Sequence, residues 1–224
     1  MPQPFASKAP SLADLGQYDV NRANQYEAIR QSLYDYTTYG GAAGQTQLQF
    51  FQVPVGQSGK TLADTNMRAA GQLPQPQFFL LESIEIKFYP GVLPGTHVTT
   101  LAATEFANDV YTVAKSGWAE LFIGSKPYLD EAPLDRFPPK TRLNVDAAYG
   151  IQLKQTMAAD AEEQVSMDYA TFSGRPYFMD PQVLLVPNQN FTFTLNWPTA
   201  VPLPSTADAR IGVVFDGYLY RLSQ

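Results

Sequence analysis

The chain contains no cysteine and a single histidine, His97, among its 224 residues. Without thiols there is no disulfide, no thiolate nucleophile and no thiolate metal site. A lone imidazole excludes any site that needs two histidines and leaves one candidate base. Charge is also scarce: 16% of residues are Asp, Glu, Lys or Arg, against about 25% in an average domain. The basic residues are scattered, as at Lys8, Arg22, Arg30, Lys60, Arg68 and Lys87, and the net charge is −6. A phosphate-binding groove needs clustered cations to displace counterions, so no specific nucleic-acid partner is expected. No apolar run approaches the roughly 18 residues of a membrane span. Residues 1–8 lack a basic segment followed by an apolar core, so no secretory leader is expected.

Hydrophobic side chains, by contrast, make up 45% of the chain and aromatic ones 13%. A chain of this size buries roughly 70–75% of its unfolded surface and needs no metal or disulfide to hold a core. The scarcity of charge leaves many surface positions to Gln, Asn, Thr, Ser and Tyr, a palette suited to meeting other proteins.

Residues 1–18 are rich in Pro, Ser, Ala and Gln and have no period, which predicts an arm. Asp19 is placed to cap a helix reaching about Tyr36, with Val20, Ala23, Ile29 and Leu33 as its apolar stripe and Tyr26, Tyr34 and Tyr36 as a docking face. The glycines from Gly40 to Gly44 end it. From Thr46 the period changes to two. Leu48 and Phe50 share one face of a first strand that Pro54 stops. Phe78, Leu80, Ile84, Ile86 and Phe88 share a parity in a long strand turned by Pro90 and Gly91. Residues 104–115 favour a helix capped at Thr104, with a strand around Val110–Val113 as the alternative, and 118–123 alternate as a strand. Gly124, Pro127, Pro133, Pro138 and Pro139 predict an exposed loop over 124–139. A strand is expected over 151–157 and an acidic loop over 158–164. Phe191, Phe193, Leu195 and Trp197 alternate with Thr192, Thr194 and Asn196, a half-buried strand that places Trp197 in the core. Residues 210–222 read as a closing strand. About eight strands joined by long proline-rich loops predict an all-β jelly-roll sandwich or barrel rather than an up-and-down barrel. Two regions follow: residues 1–45 as arm and helix, and 46–224 as the β domain. One or two short helices complete it.

Candidate chemistry is thin. Residues 55–61, Val-Gly-Gln-Ser-Gly-Lys-Thr, mimic a phosphate loop, but the position that needs its first glycine is Pro54, which has no amide to offer. A surface turn is the better reading. His97 follows Pro94 and Gly95, and no Gly-x-Ser-x-Gly elbow accompanies it, so no catalytic residue is assigned. Asp160, Glu162, Glu163 and Asp168 form the densest acidic cluster, a weak candidate for calcium without the spacing of a dedicated loop. No metal or cofactor is therefore expected. Trp118, at an open position, is a candidate for stacking on a sugar ring.

The run Val186-Pro187-Asn188-Gln189-Asn190 leading into Phe191, Phe193, Leu195 and Trp197 resembles the penultimate strand of the jelly-roll capsid proteins of tailless icosahedral phages. Residues 211–221, from Ile211 through Gly217 to Arg221, resemble their closing strand, and 81–86 suits an early one. The resemblance covers about a third of the chain. It implies a virion structural protein, a coat subunit that is no enzyme, takes no cofactor and assembles with copies of itself and other virion proteins. Length favours a single barrel, with a compact double barrel as the alternative. Phe5 and Leu12 in the arm, with Tyr26 and Tyr34, are the expected contacts between subunits. The alternative function is a β-sandwich module of spike type that binds carbohydrate or a receptor through Trp118.

Overall fold

A computed structural model describes residues 26–91, 103–139, 142–146, 151–156, 159–164, 167–171 and 176–222, with backbone only for 103–107 and 142–171. The chain is mostly β, as its alternation predicts. In order the strands are β1 (Tyr26–Tyr39), β2 (Gln47–Phe50), β3 (Phe78–Tyr89), β4 (Trp118–Ile123) and β5 (Lys126–Pro133). They continue as β6 (Arg142–Asp146), β7 (Ile151–Thr156), β8 (Ala159–Gln164), β9 (Met167–Thr171), β10 (Tyr177–Leu185), β11 (Phe191–Asn196) and β12 (Ala209–Leu222). Among the described residues, one helix, α1 (Ala103–Ser116), precedes β4, and one 3-10 turn, Leu134–Arg136, follows β5.

Eight of the strands form two four-stranded antiparallel sheets: β1-β12-β3-β10, here sheet I, and β2-β11-β4-β5, sheet II. Each of β1 to β4 lies in the opposite sheet from the next, except that β4 and β5 are joined as a hairpin within sheet II. The other four pair as two ribbons, β6 with β9 and β7 with β8. Among the described residues there is one such pair of sheets and no closed barrel, so the expected barrel is replaced by two open sheets facing each other. Between them lies one core, to which Phe50, Leu121, Phe191, Phe193 and Leu195 come from sheet II and Leu33, Leu81, Ile84, Val213 and Phe215 from sheet I. Phe215 sits at its centre, 4.5 Å from the Phe51 ring, 5.7 Å from Phe193 and 6.2 Å from Phe191. Aromatic pairs at these distances add about 0.5–1.5 kcal/mol each beyond the area they bury. Trp197 lies in this core as its parity predicts, with its indole N–H donated to the Val113 carbonyl of α1 at 3.3 Å.

Three expectations fail for identifiable reasons. The helix expected from Asp19 to Tyr36 is, from Tyr26 on, the strand β1, paired over its whole length with β12. Ile29 and Leu33 are four apart, a spacing that one helix face and one strand face share, and the 14-residue partner decides between them. The loop expected over 124–139 holds β5 and the 3-10 turn. Its prolines, Pro127 and Pro133, lie on an edge strand, where a missing amide costs no ladder bond. One extra residue between Leu129 and Ala132 hides the alternation. The acidic loop expected over 158–164 contains β8, which pairs with β7.

The single parity assigned to β3 also breaks. Ser83 pairs with Asp216 but Leu81 pairs with Gly217, so Glu82 is a bulge. Beyond it the faces exchange: Phe79 and Leu81 join the central core with Ile84, while Phe78 and Leu80 join a second cluster with Tyr26 and Tyr220 on the outer face of sheet I. β3 is therefore buried on both sides over its first eight residues.

Candidate functional site

Four features carry polar or accessible chemistry, and they lie in different places. The first is an inward-facing acid. Asp35 shares the parity of Leu33 on β1 and is fully buried. Its carboxylate accepts the Lys60 ammonium at 2.5 Å and the Phe51 amide at 2.6 Å. Phe51 has φ of 68°, a left-handed conformation costly for a bulky residue, and the bond from its amide helps to hold it there. Burial pushes the Asp35 carboxyl above its ordinary range, against the opposing pull of Lys60 and the Phe51 amide. The phosphate-loop mimic is thus a turn with Gly56 at φ 85° and Gly59 at φ 77°, whose lysine is turned inward to an acid.

The second is a polar hollow of about 220 Å³ beside this turn, lined by Tyr36, Thr38, Ser58, Lys60, Asp64 and Arg210. The Arg210 guanidinium lies 4.2 Å from the Tyr36 ring centroid, reaches Asp64 at 3.2 Å and donates to the Ala63 carbonyl. Tyr36 in turn packs over Gly212, where a Cβ would come within 2.0 Å of the ring. Burial raises the Tyr36 and Tyr89 hydroxyls above the usual tyrosine value. Each cation here already faces an acid, so the hollow offers no free charge to an anionic ligand. On the same sheet face, Arg30 bridges Glu82 at the bulge and Asp216 at 2.6 Å. Burial works against the Arg30 charge, but Asp216, Tyr218 and Glu82 outweigh it and hold the guanidinium more firmly protonated.

The third is an apolar cleft of about 410 Å³ where α1 and the 3-10 turn lie against the end of β3, lined by Ile86, Phe88, Val113, Leu134, Phe137 and Ile211. Its polar lining is Lys87, Tyr89 and Asp135, and no imidazole lines it among the described residues. The fourth is a ladder across the outer face of sheet II. The Trp118 indole donates to Glu120 at 2.9 Å, Thr194 donates to Glu120 at 3.4 Å, Asn196 to Thr194 at 3.2 Å, and Gln47 to Asn196 at 2.9 Å. Side chains of three strands are tied into one polar ladder with an indole at its end, in which Thr194 and Asn196 are themselves buried.

Of the residues singled out from sequence, Trp118 is half-buried at that end, Tyr26 is buried in the outer cluster of sheet I, and the Tyr34 hydroxyl donates to the Leu62 carbonyl. Phe5, Leu12 and His97 lie outside the described residues, as do the side chains of Asp160, Glu162, Glu163 and Asp168. Among the described residues no group of three or more acids or histidines is placed to hold a metal ion, and no helix is long and apolar enough to cross a membrane. The buried Asp35–Lys60 pair and the Arg30 bridge escape sequence reasoning because their partners are 25, 52 and 186 residues apart. No protein-family model matches the chain, and a search of curated proteins finds no match.

Proposed function

We propose that this chain is a virion structural protein, a jelly-roll coat subunit that assembles with copies of itself into a symmetric shell. The observation that carries the reading is the strand order. Numbering only the eight strands of the two sheets, sheet I runs first-eighth-third-sixth and sheet II second-seventh-fourth-fifth. That is the interleaving of two Greek keys, the order of the jelly rolls found in viral capsids and also in lectin domains. The resemblance of β11 and β12 to the last two strands of phage coat proteins agrees with it, and so does the low charge. Large obligate interfaces bury about 2,000–5,000 Å² and are apolar. The role is structural rather than catalytic, and needs no cofactor. Its place is the virion, after synthesis in the host cytoplasm. Phe5 and Leu12 in residues 1–18 contact neighbouring subunits.

A second reading is a spike-type module that binds carbohydrate, favoured by the Trp118–Gln47 ladder on sheet II. The mass of the purified chain by light scattering, with electron micrographs of the same fractions, separates the two. A coat subunit gives rings, capsomers or particles without ligand; a monomer at all salt and protein concentrations overturns the coat reading. Deleting residues 1–18 is expected to impair assembly and leave the thermal transition of the β domain in place. Assembly equal to that of the full chain would remove the arm from the mechanism.

A further inference from the structure

The chain has no cysteine with which to lock its long connections, yet one buried contact holds a nucleophile against an electrophile. Asp35 lies on β1 and Lys60, 25 residues further on, in the turn after β2; the lysine nitrogen is 2.5 Å from Asp35 Oδ1. Asp35 is fully buried, and the Lys60 side chain is 14% exposed. Both are held from their backbones. Asp35 sits opposite Val213 in the ladder to β12. The turn is closed by the Gly56 amide on the Lys60 carbonyl at 2.8 Å and the Lys60 amide on the Gln57 carbonyl at 2.9 Å.

The two carboxylate oxygens have different partners. Lys60 takes Oδ1, whereas Oδ2 accepts the Phe51 amide at 2.6 Å. Phe51 has φ of 68°, and its ring is packed on Phe191 and Phe215. Backbone strain of this kind gathers at functional sites. A fixed N–H on one oxygen is the arrangement that stabilises the charge of a tetrahedral intermediate. The other oxygen is then the one to leave, and it is the one the lysine touches.

We propose that Lys60 and Asp35 condense after folding into an amide, a covalent staple between the turn and β1. The ammonium first gives one proton to Oδ1, leaving a neutral amine and a carboxylic acid. Burial favours that neutral pair, and it already lifts the Asp35 carboxyl above its ordinary range. The amine lone pair attacks Cγ, and the carbonyl electrons move onto Oδ2, where the Phe51 amide meets the charge. The nitrogen gives a second proton to the Oδ1 hydroxyl, the carbonyl re-forms, and the Cγ–Oδ1 bond breaks to release water. One hydrogen stays on the new amide, and no oxidant, reductant or cofactor enters. Oriented partners reach effective concentrations of about 10⁵–10⁸ M, which offsets the reluctance of an acid and an amine to condense in water. The polar hollow that Lys60 lines gives the water its exit. Before closure the pair is the ion pair described above, and its charge governs the freshly refolded chain. The staple forms whether or not the chain assembles.

Trypsin makes the test direct, because residues 31–59 contain no lysine or arginine. An amidated Lys60 is not a cleavage site. Full-length chain incubated at neutral pH should therefore yield residues 31–68 as one peptide, lighter than its sequence by one water. The intact, denatured protein should show the same deficit by mass spectrometry. Lys60→Arg keeps the charge but offers no amine, and should restore the full mass. Its folding equilibrium should fall about thirtyfold or more below that of the closed chain, as for loss of a cross-link over a loop of this size. Wild-type chain of full sequence mass, cleaved after Lys60, overturns the proposal. So does a missing water on a released peptide 31–60, because Asp35 would then have closed on its own backbone and not on the lysine.

Discussion

The two halves of β1 pair with β12 in the same way and differ only on their other side. From Ser32 to Tyr36 the edge is closed by the Thr61–Met67 segment, and the strand is pinned from beneath by Asp35. From Ala28 to Gln31 no bond from a described residue reaches the edge, and the inward positions nearby carry Ile29 and a half-exposed Glu27 that reaches Arg221 at 2.7 Å. One half is closed by bonds within the subunit. The ladder to β12 makes both halves strand; what lies on the far side decides whether a strand is core or interface.

The closed half depends most on the buried ion pair, and removing its cation should give the largest effect. Lys60→Met leaves the Asp35 carboxylate buried without its counter-charge, a change that typically costs about 3–5 kcal/mol. Adding Asp35→Asn should recover most of that loss, because a neutral amide still accepts the Phe51 amide. Urea midpoints of the single and double variants measure it; equal midpoints for the two would show that charge is not what Lys60 supplies. The sign with pH follows from Asp35. Its folded value lies above the ordinary carboxylate range, so its proton favours the folded chain. That contribution is complete below about pH 4 and is lost as pH rises through the folded value. The Lys60→Met deficit should therefore be small near pH 4 and widen towards pH 7. A deficit that narrowed on that path would reverse the assignment.

Next in size is the strap. Asn66→Ala removes two hydrogen bonds to the β1 edge, each worth about 0.5–1.5 kcal/mol net, with water able to replace part of the loss at this partly exposed site. A fall of about 1–2 kcal/mol in unfolding free energy is expected. The variant also tests the comparison itself, since it bares the Ser32 carbonyl and the Tyr34 amide while the Tyr34 carbonyl keeps the Thr65 hydroxyl and the backbone amide of residue 66.

How far the sequence discloses this architecture depends on the range of each signal. β11 was legible because Phe191, Phe193, Leu195 and Trp197 alternate without interruption, whereas residues 104–115 fitted a helix capped at Thr104 or a strand around Val110–Val113, and the helix is what forms. β1 was not, since Ile29 and Leu33 fit either period and only β12, some 190 residues away, resolves the choice. β3 was legible as a strand but not in its facing, because a single bulge at Glu82 exchanges its two sides. β5 was hidden by prolines that an edge tolerates. Trp118 could be singled out from the chain, but its ladder could not, because Glu120, Thr194, Asn196 and Gln47 meet only across three strands. The free edge left no local sign at all: an edge is a property of strand order.

The smallest expected change in stability belongs to the bare half, and it is the most direct probe of the difference. Ala28→Lys alters one exposed side chain whose amide β12 does not use, so unfolding free energy should stay within about 0.5 kcal/mol of the parent. Hydrogen exchange then distinguishes the halves within one molecule. In dilute monomer the amides of Ala28 and Arg30 should exchange rapidly while those of Tyr34 and Tyr36, bonded to Asn66 and Asp64, are protected. Protection of Ala28 and Arg30 in the dilute parent would mean that the edge is already closed within one subunit, and the distinction between the two halves of β1 would vanish.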